Sequence, residues 1–426
     1  MDREPSDETT RPVDPLQLFV DRHRRALPTT RGRKRFNAAE HVWLGGYGAA
    51  QALEELRAVG LELSDDLIKA IPRRDDKEVL DYGELVALSG DFYGSPDELF
   101  DEKPSLLPWL WESKDLSDLR QIFEEELRWI RTAPQDRTTS YPDFNIRMAW
   151  NTKGYLELAL QNTDHFGWHN IRAYCRHHGT ALDLARSARG QQDERFRRAL
   201  YTNAFADHFL TDAFAAGHVR VPRAEIRTWA GSKGLDEKIA GVLSKILHDQ
   251  DGHVDLRSLH GTAAETDRPP SDGLEVTDST GSRWVTRCDG QLFLEADAAG
   301  STAVKRPIAA VAASLKEVLL AWQKGDMPRM YEATRFVPWP APGAKTLIDK
   351  FPAGMSEDEL GRLWEAVGWY AKWLGGFKRE HIEMLLAALP ALMDEFRRHV
   401  AQDIAADPAF AAKVAPKYLQ AFQKIA

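Results

Sequence analysis

The chain has 426 residues, 43% of them hydrophobic and 28% charged, and its formal net charge is −9. The length suggests two or three domains, or one large domain with an appendage, and the apolar content excludes disorder over most of the chain. The acidic balance argues against a protein that holds duplex nucleic acid through a broad basic surface. Two cysteines exclude a disulfide scaffold and a four-cysteine zinc module, so any metal must take its ligands from the 13 histidines and the carboxylates.

No apolar stretch of the sequence reaches the ~18–20 residues that a membrane span needs. The first residues, MDREPSDETTRPVDP, are polar and acidic and lack the apolar segment of a secretory signal. We therefore expect a protein that is cytoplasmic as synthesised, and export by a specialised secretion machine stays open.

The spacing of apolar residues predicts an all-α protein with one small β insertion. We expect a disordered tail at 1–14, a main domain at 15–300 and a helical C-terminal region at 301–426. Asn37 and Glu40 are typical of a capping box at the start of the first strong helix. Further helices are predicted at 81–89, 115–132, 142–163, 168–187, 191–217, 236–248, 302–325, 356–374, 378–400 and 408–425.

Two stretches interrupt the helical pattern. Residues 220–234 contain Pro222 and are interpreted as a connector. Residues 249–303 are rich in Gly, Asp, Thr and Ser, and include an alternating run that predicts a β-hairpin. Its strands are expected at Trp284–Arg287 and Gln291–Phe293, joined by Cys288, Asp289 and Gly290.

The segment from Ala206 to His218 indicates metal chemistry. His208 and Asp212 are one helical turn apart, so their side chains lie on one face and can reach one ion. His218 follows ten residues after His208, close to three turns. Such a pair alone is more often a surface ion pair or a buried hydrogen bond, but His41, Asp91, His165 and His248 also lie at the ends of predicted helices, where side chains can converge.

The run from His208 to His218 (HFLTDAFAAGH) resembles the zinc signature of the zinc-dependent phospholipase C and single-strand nuclease superfamily. The segment Gly90 to Gly94 (GDFYG) makes the chain most similar to bacterial zinc metallophospholipases C. The resemblance covers residues 36–300 and implies a zinc-dependent phospholipase C-like helical bundle with Zn²⁺ ions, two or three of them, at the bottom of a cleft.

The resemblance also implies a ligand set for each ion. One ion takes Asp91, His165, His208 and Asp212; a second takes His218, His248 and a carboxylate; the third takes His41 and shares Asp212. The order of these residues along the chain is the order that the superfamily pattern requires.

Two departures from the family pattern concern individual ligands. Secreted members hold the third zinc through an N-terminal tryptophan, whereas this chain begins with Met1 and an acidic tail. Four residues after His248, where the family places a glutamate, the chain has Gly252. Asp251 is the preferred carboxylate partner of His248, and Asp249 is the alternative if the helix ends at His248.

The activity implied is phosphodiester hydrolysis, most specifically cleavage of a glycerophospholipid to diacylglycerol and a phosphorylated head group. Asp91 is the candidate general base, and the partner is a phospholipid substrate met through transient contact with a membrane surface. Candidate substrate contacts are Phe92, Tyr93, Trp168 and Arg220, with Arg223 beside it as a further guanidinium for a phosphate oxygen.

Two other interpretations stay open. The nuclease branch would use the same metals on single-stranded nucleic acid, although no stable nucleic acid complex is expected at this net charge. A non-catalytic helical protein would use zinc structurally, yet ligands spread over so many segments exceed what a closed four-ligand site needs.

Overall fold

The computed structural model describes residues 38–74, 78–101, 116–132, 158, 163–251, 273–287, 301–344, 357–367 and 376–425. The predicted tail at 1–14, the hairpin strand at 291–293 and all but Leu158 and Thr163 of the helix predicted at 142–163 lie outside these residues. Asn37 of the predicted capping box lies outside them as well.

The described residues are mostly helical, and this confirms the mainly α-helical class. The longer helices are α1 (Ala38–Ala58), α5 (Leu116–Thr132), α6 (Trp168–Ala188), α7 (Glu194–Asp212), α9 (Arg223–Ser232), α10 (Glu237–Asp251), α11 (Thr302–Lys324), α12 (Glu357–Ala366), α13 (Arg379–Ala406) and α15 (Pro416–Ile425). The short helices are α2 (Asp66–Lys69), α3 (Tyr82–Leu88), α4 (Pro96–Asp101), α8 (Ala216–Val219) and α14 (Pro408–Ala411). No described helix is long and apolar enough to cross a lipid bilayer.

Two small antiparallel sheets lie among the helices. Strands β1 (Ile71–Pro72) and β2 (Val79–Leu80) form one, and β3 (Leu274–Thr277), β4 (Arg283–Thr286) and β5 (Trp339–Pro340) form the other in the order β4-β3-β5.

The predicted hairpin strand at 284–287 is present as β4, but its described partner is upstream, with Leu274 opposite Thr286. The turn between β3 and β4 was not among the predicted elements. The Asp278 carboxylate accepts bonds from the backbone N–H groups of Thr280 and Ser282, and Gly281 has φ +88°. Asp and Gly at these positions are typical of such turns.

Helix α7 lies at the centre of the larger hydrophobic core. Asp193 caps it by accepting from the backbone N–H groups of Arg195 and Phe196. Every residue from 199 to 212 is buried, because α6, α11, α3, α4 and α1 pack around this helix. The helix therefore offers the site a rigid, dry support.

Helices α1 and α3 approach one another at their backbones. A side chain at Gly83 would come within 2.2 Å of the Val42 carbonyl oxygen, so only glycine permits this contact. The contact holds the part of α1 that carries His41 against α3, the helix that Asp91 follows.

The C-terminal region contributes to the same core. Helix α11 packs against α1, α6 and α7, and the end of α13 with α15 covers Trp168. The division at residue 301 stays a prediction about the chain, but packing is continuous across it. A second apolar cluster joins α9, α10, α12 and α13 beside Phe166.

Two predicted boundaries around the site are corrected. The helix predicted at 191–217 ends at Asp212, and α8 starts after a turn at Ala213–Ala215. The connector predicted at 220–234 contains helix α9, because Pro222 lies at the helix start, where proline is tolerated.

Candidate metal centre

The Asp212 carboxylate lies among four imidazoles contributed by different segments. Its Oδ1 is 3.5 Å from His41 Nε2 and 3.9 Å from His218 Nδ1, and its Oδ2 is 2.8 Å from His165 Nδ1 and 3.7 Å from His208 Nε2. All five residues are buried. So many imidazoles around one buried carboxylate are typical of a metal centre rather than of an apolar core.

Asp91 approaches the same point from the turn after α3. Its carboxylate oxygens lie 4.0 Å from His165 Nδ1 and 3.6 Å from His208 Nε2. Gly90, with φ +74°, makes the turn that directs Asp91 inward. A Cβ at Gly90 would come within 2.6 Å of His208 Cδ2, so this close approach also requires glycine.

Two overlapping groups of three ligands result. His41, His208 and Asp212 form one, and Asp91, His165 and His208 form the other, with the ligand atoms of each group within 4.8 Å of one another. We call these five residues the ligand cluster. Its donors are only imidazole nitrogen and carboxylate oxygen, which bind transition metals, zinc among them.

The surroundings of His208 and His165 favour the neutral form of the imidazole ring. His208 Nδ1 lies 3.0 Å from the Val86 carbonyl oxygen, which can only accept, so Nδ1 carries the proton and the Nε2 lone pair faces the carboxylates. Burial lowers the pKa of His208 well below its ordinary value and also lowers the pKa of His165, although Asp212 opposes both shifts. Neutral imidazole is the form that binds metal.

His218 and His248 form a pair beside the ligand cluster. Their ring centroids are 4.9 Å apart, and Phe166 stacks on His218 at 4.5 Å. His218 Nδ1 donates to the His165 carbonyl oxygen at 2.7 Å, so the Nε2 atom keeps its lone pair. His248 rests on Gly217, where a Cβ would lie 2.3 Å from its ring. The structure therefore brings together all seven histidine and aspartate ligands implied for the three ions, without counting the carboxylate partner of His248.

Asp251, the preferred carboxylate partner of His248, lies in a buried ion pair. Helix α10 continues past His248 to Asp251, whose buried carboxylate takes a hydrogen bond of 3.0 Å from Arg220 Nη2 and two of 3.2 Å from Arg220 Nε. The same ion pair involves Arg220, the predicted substrate contact. The side chain of Asp249, the alternative, lies outside the described residues.

This ion pair predicts a structural role for Asp251. In D251N we expect the free energy of unfolding of the metal-free protein to fall by about 3–5 kcal/mol, because a buried guanidinium loses its counter-ion. The bound zinc per chain is expected to stay unchanged. Denaturant unfolding and elemental analysis measure the two quantities.

E237Q is the control: Glu237 lies on α10, as Asp251 does, and pairs with Arg227 of α9 at an exposed site worth less than ~1 kcal/mol. A D251N protein of normal stability that lacks one zinc would make Asp251 a ligand instead.

The predicted aromatic substrate contacts lie in the core. Phe92, Tyr93 and Trp168 have no exposed surface. Phe92 packs edge-on to Phe123, and Trp168 Nε1 donates to Asp403 on α13 at 3.0 Å. A side chain next to a ligand on a turn or helix points in another direction from that ligand, and these three rings pack into the core.

The Arg223 guanidinium lies beside the candidate metal centre. It stands 4.7 Å over the ring of Phe166, which in turn stacks on His218. Burial lowers the pKa of Arg223 to about 10, and the Asp91 charge opposes this shift, so Arg223 remains a cation beside the ligand cluster. The two arginines are equivalent candidates by sequence, and the fold gives them different partners.

Comparison of the chain with protein family models, with curated proteins and with solved structures finds no match.

Proposed function

We propose that the protein is a zinc-dependent phosphodiester hydrolase, with glycerophospholipids as its substrate class and a phospholipase C as its specific activity. The observation that carries the proposal is the Asp212 carboxylate within 4 Å of four buried imidazoles, with Asp91 beside them. The resemblance of the His208–His218 spacing to zinc phospholipases C supports the substrate class.

Zinc bound in this cluster supplies activated water and offsets the negative charge of a phosphodiester. The reaction adds water to phosphorus and breaks the bond from phosphorus to the glycerol oxygen, which leaves with a proton as diacylglycerol. Asp91 lies at 7% exposure on the edge of the cluster, where it can orient the attacking water or accept its proton. The Arg223 guanidinium lies where it can offset charge on a phosphate oxygen.

The test measures hydrolysis of short-chain phosphatidylcholine and of a single-stranded oligonucleotide side by side. The same protein is assayed as purified, after chelation and after zinc is added back. We expect lipid turnover that chelation abolishes and zinc restores. Cleavage of the oligonucleotide alone would favour the nuclease branch, and bound zinc without turnover of either substrate would favour a structural role.

The role of Asp91 gives a prediction. In D91N we expect lipid turnover to fall by about 10²–10⁴-fold, the contribution of a general base, with the melting temperature close to that of the parent protein. D164N is the control, because Asp164 is half exposed beside His165 and pairs with Arg176. Turnover of D91N equal to that of D164N would remove Asp91 from the chemistry.

A further inference from the structure

Thr211 lies on α7 between the ligands His208 and Asp212, with its side chain buried. Its hydroxyl oxygen is 2.8 Å from each of three atoms: His41 Nδ1, the Asp207 carbonyl oxygen and the His208 carbonyl oxygen. A threonine within a helix often bonds a preceding carbonyl in this way, but here the same oxygen also reaches a ligand on another helix.

The hydroxyl has a single proton, and this fixes the direction of each of its three hydrogen bonds. Both carbonyl oxygens can only accept, so the single hydroxyl proton goes to one of them. The remaining lone pairs of Thr211 then accept a proton from His41 Nδ1. In the opposite arrangement, the hydroxyl oxygen would face two carbonyl oxygens at 2.8 Å without a proton between them.

The consequence concerns the other nitrogen of His41. With the proton on Nδ1, the neutral ring keeps its Nε2 lone pair, which lies 3.5 Å from Asp212 Oδ1. The ring is also held by stacking on His208, with centroids 4.5 Å apart. Both the tautomer and the direction of the ring are therefore set before any ion arrives.

We infer that Thr211 is a positioning residue for the metal: it fixes the Nδ1–H tautomer of His41 and directs Nε2 to the ion shared with His208 and Asp212. The inference rests on the proposed metal site, while the tautomer itself is a property of the metal-free protein. The Thr211 hydroxyl accepts a hydrogen bond from His41 Nδ1 just as the Val86 carbonyl oxygen accepts one from His208 Nδ1.

The test compares T211V, T211S and T202V in the full chain. Valine keeps the shape of threonine but removes the hydroxyl, and serine restores the hydroxyl. Thr202 is the matched control on the same helix, because its hydroxyl donates to the Arg198 carbonyl at 2.7 Å and it is 6% exposed. T202V therefore measures the cost of losing such a bond away from the ligands.

The first readout is the tautomer of His41 in metal-free protein, from the nitrogen chemical shifts of the imidazole ring. We expect Nδ1–H in the parent protein, T211S and T202V, and loss of that preference in T211V. The second readout is zinc affinity, which we expect T211V to weaken by about 10–100-fold for the ion that His41 would hold, with T211S and T202V near the parent value.

An Nε2–H tautomer in the metal-free parent protein, or a T211V protein with the parent zinc affinity, would overturn the inference. Failure of the proposed hydrolysis has a different signature. In that case T211V still weakens zinc binding and T211S still restores it, while no lipid is turned over by any of the proteins.

Discussion

Replacing Asp212 with asparagine is expected to abolish high-affinity zinc binding and, with it, lipid hydrolysis. The Asp212 carboxylate lies within 4 Å of His41, His165, His208 and His218. The amide removes the negative charge that offsets a dication, and it places an N–H donor against imidazole lone pairs. Because changes to residues behind the ligands already cost about 10–100-fold in metal affinity, we expect at least 100-fold here.

Asp207 provides the matched control for D212N. It lies on the same helix and is fully buried, but its carboxylate bonds Tyr82 and Asn203 rather than the ligand cluster. Burial raises the pKa of Asp207 to about 7, so a neutral amide replaces a group that is readily neutral itself. D207N is expected to retain its zinc. Equal zinc content in D212N and the parent protein, measured by elemental analysis after dialysis, would contradict the assignment of Asp212.

The second large effect is expected for G90A. Alanine at this position destabilises the fold in two ways. The backbone has φ +74°, and the new methyl group would lie 2.6 Å from His208 Cδ2 and 3.0 Å from His165 Cε1. The left-handed backbone costs about 1–2 kcal/mol for any residue with a side chain. The collision must in addition displace the imidazoles, so we expect both lower stability and loss of zinc affinity.

A variant at Gly190 measures the backbone penalty without the collision. Its φ is +75°, almost the same as that of Gly90, and a Cβ there meets no atom within 4 Å. G190A is therefore expected to lose stability through the backbone alone and to bind zinc as the parent protein does. Thermal unfolding and zinc titration of both variants measure the difference. If G90A matches G190A in zinc affinity, the close approach of Gly90 to the imidazoles does not position them.

The family resemblance implied the members of the ligand cluster, and helix geometry made their convergence plausible from the sequence. The spacing of His208 and Asp212 places both on one face of α7, and His41, Asp91, His165 and His218 lie at helix ends that meet there. Their convergence agrees with the prediction of a zinc site, while the identity of the ion stays a proposal.

Other features depend on contacts that no spacing can predict. The carboxylate of Asp251 has the right interval from His248, yet the distant residue Arg220 binds it. Thr211 has no motif of its own, and its role arises only because α1 brings His41 against it. The rings of Phe92 and Trp168 are buried by α5 and by the C-terminal helices, which the sequence analysis treated as a separate region.

X-ray absorption at the zinc edge of the zinc-loaded protein tests the central claim most directly. The ligand cluster predicts a first shell of nitrogen and oxygen at about 2.0–2.1 Å, with the outer scattering of imidazole rings and no sulfur. This spectrum should be lost in D212N and retained in D207N. A sulfur shell near 2.3 Å, or a spectrum without imidazole that D212N leaves unchanged, would contradict the account.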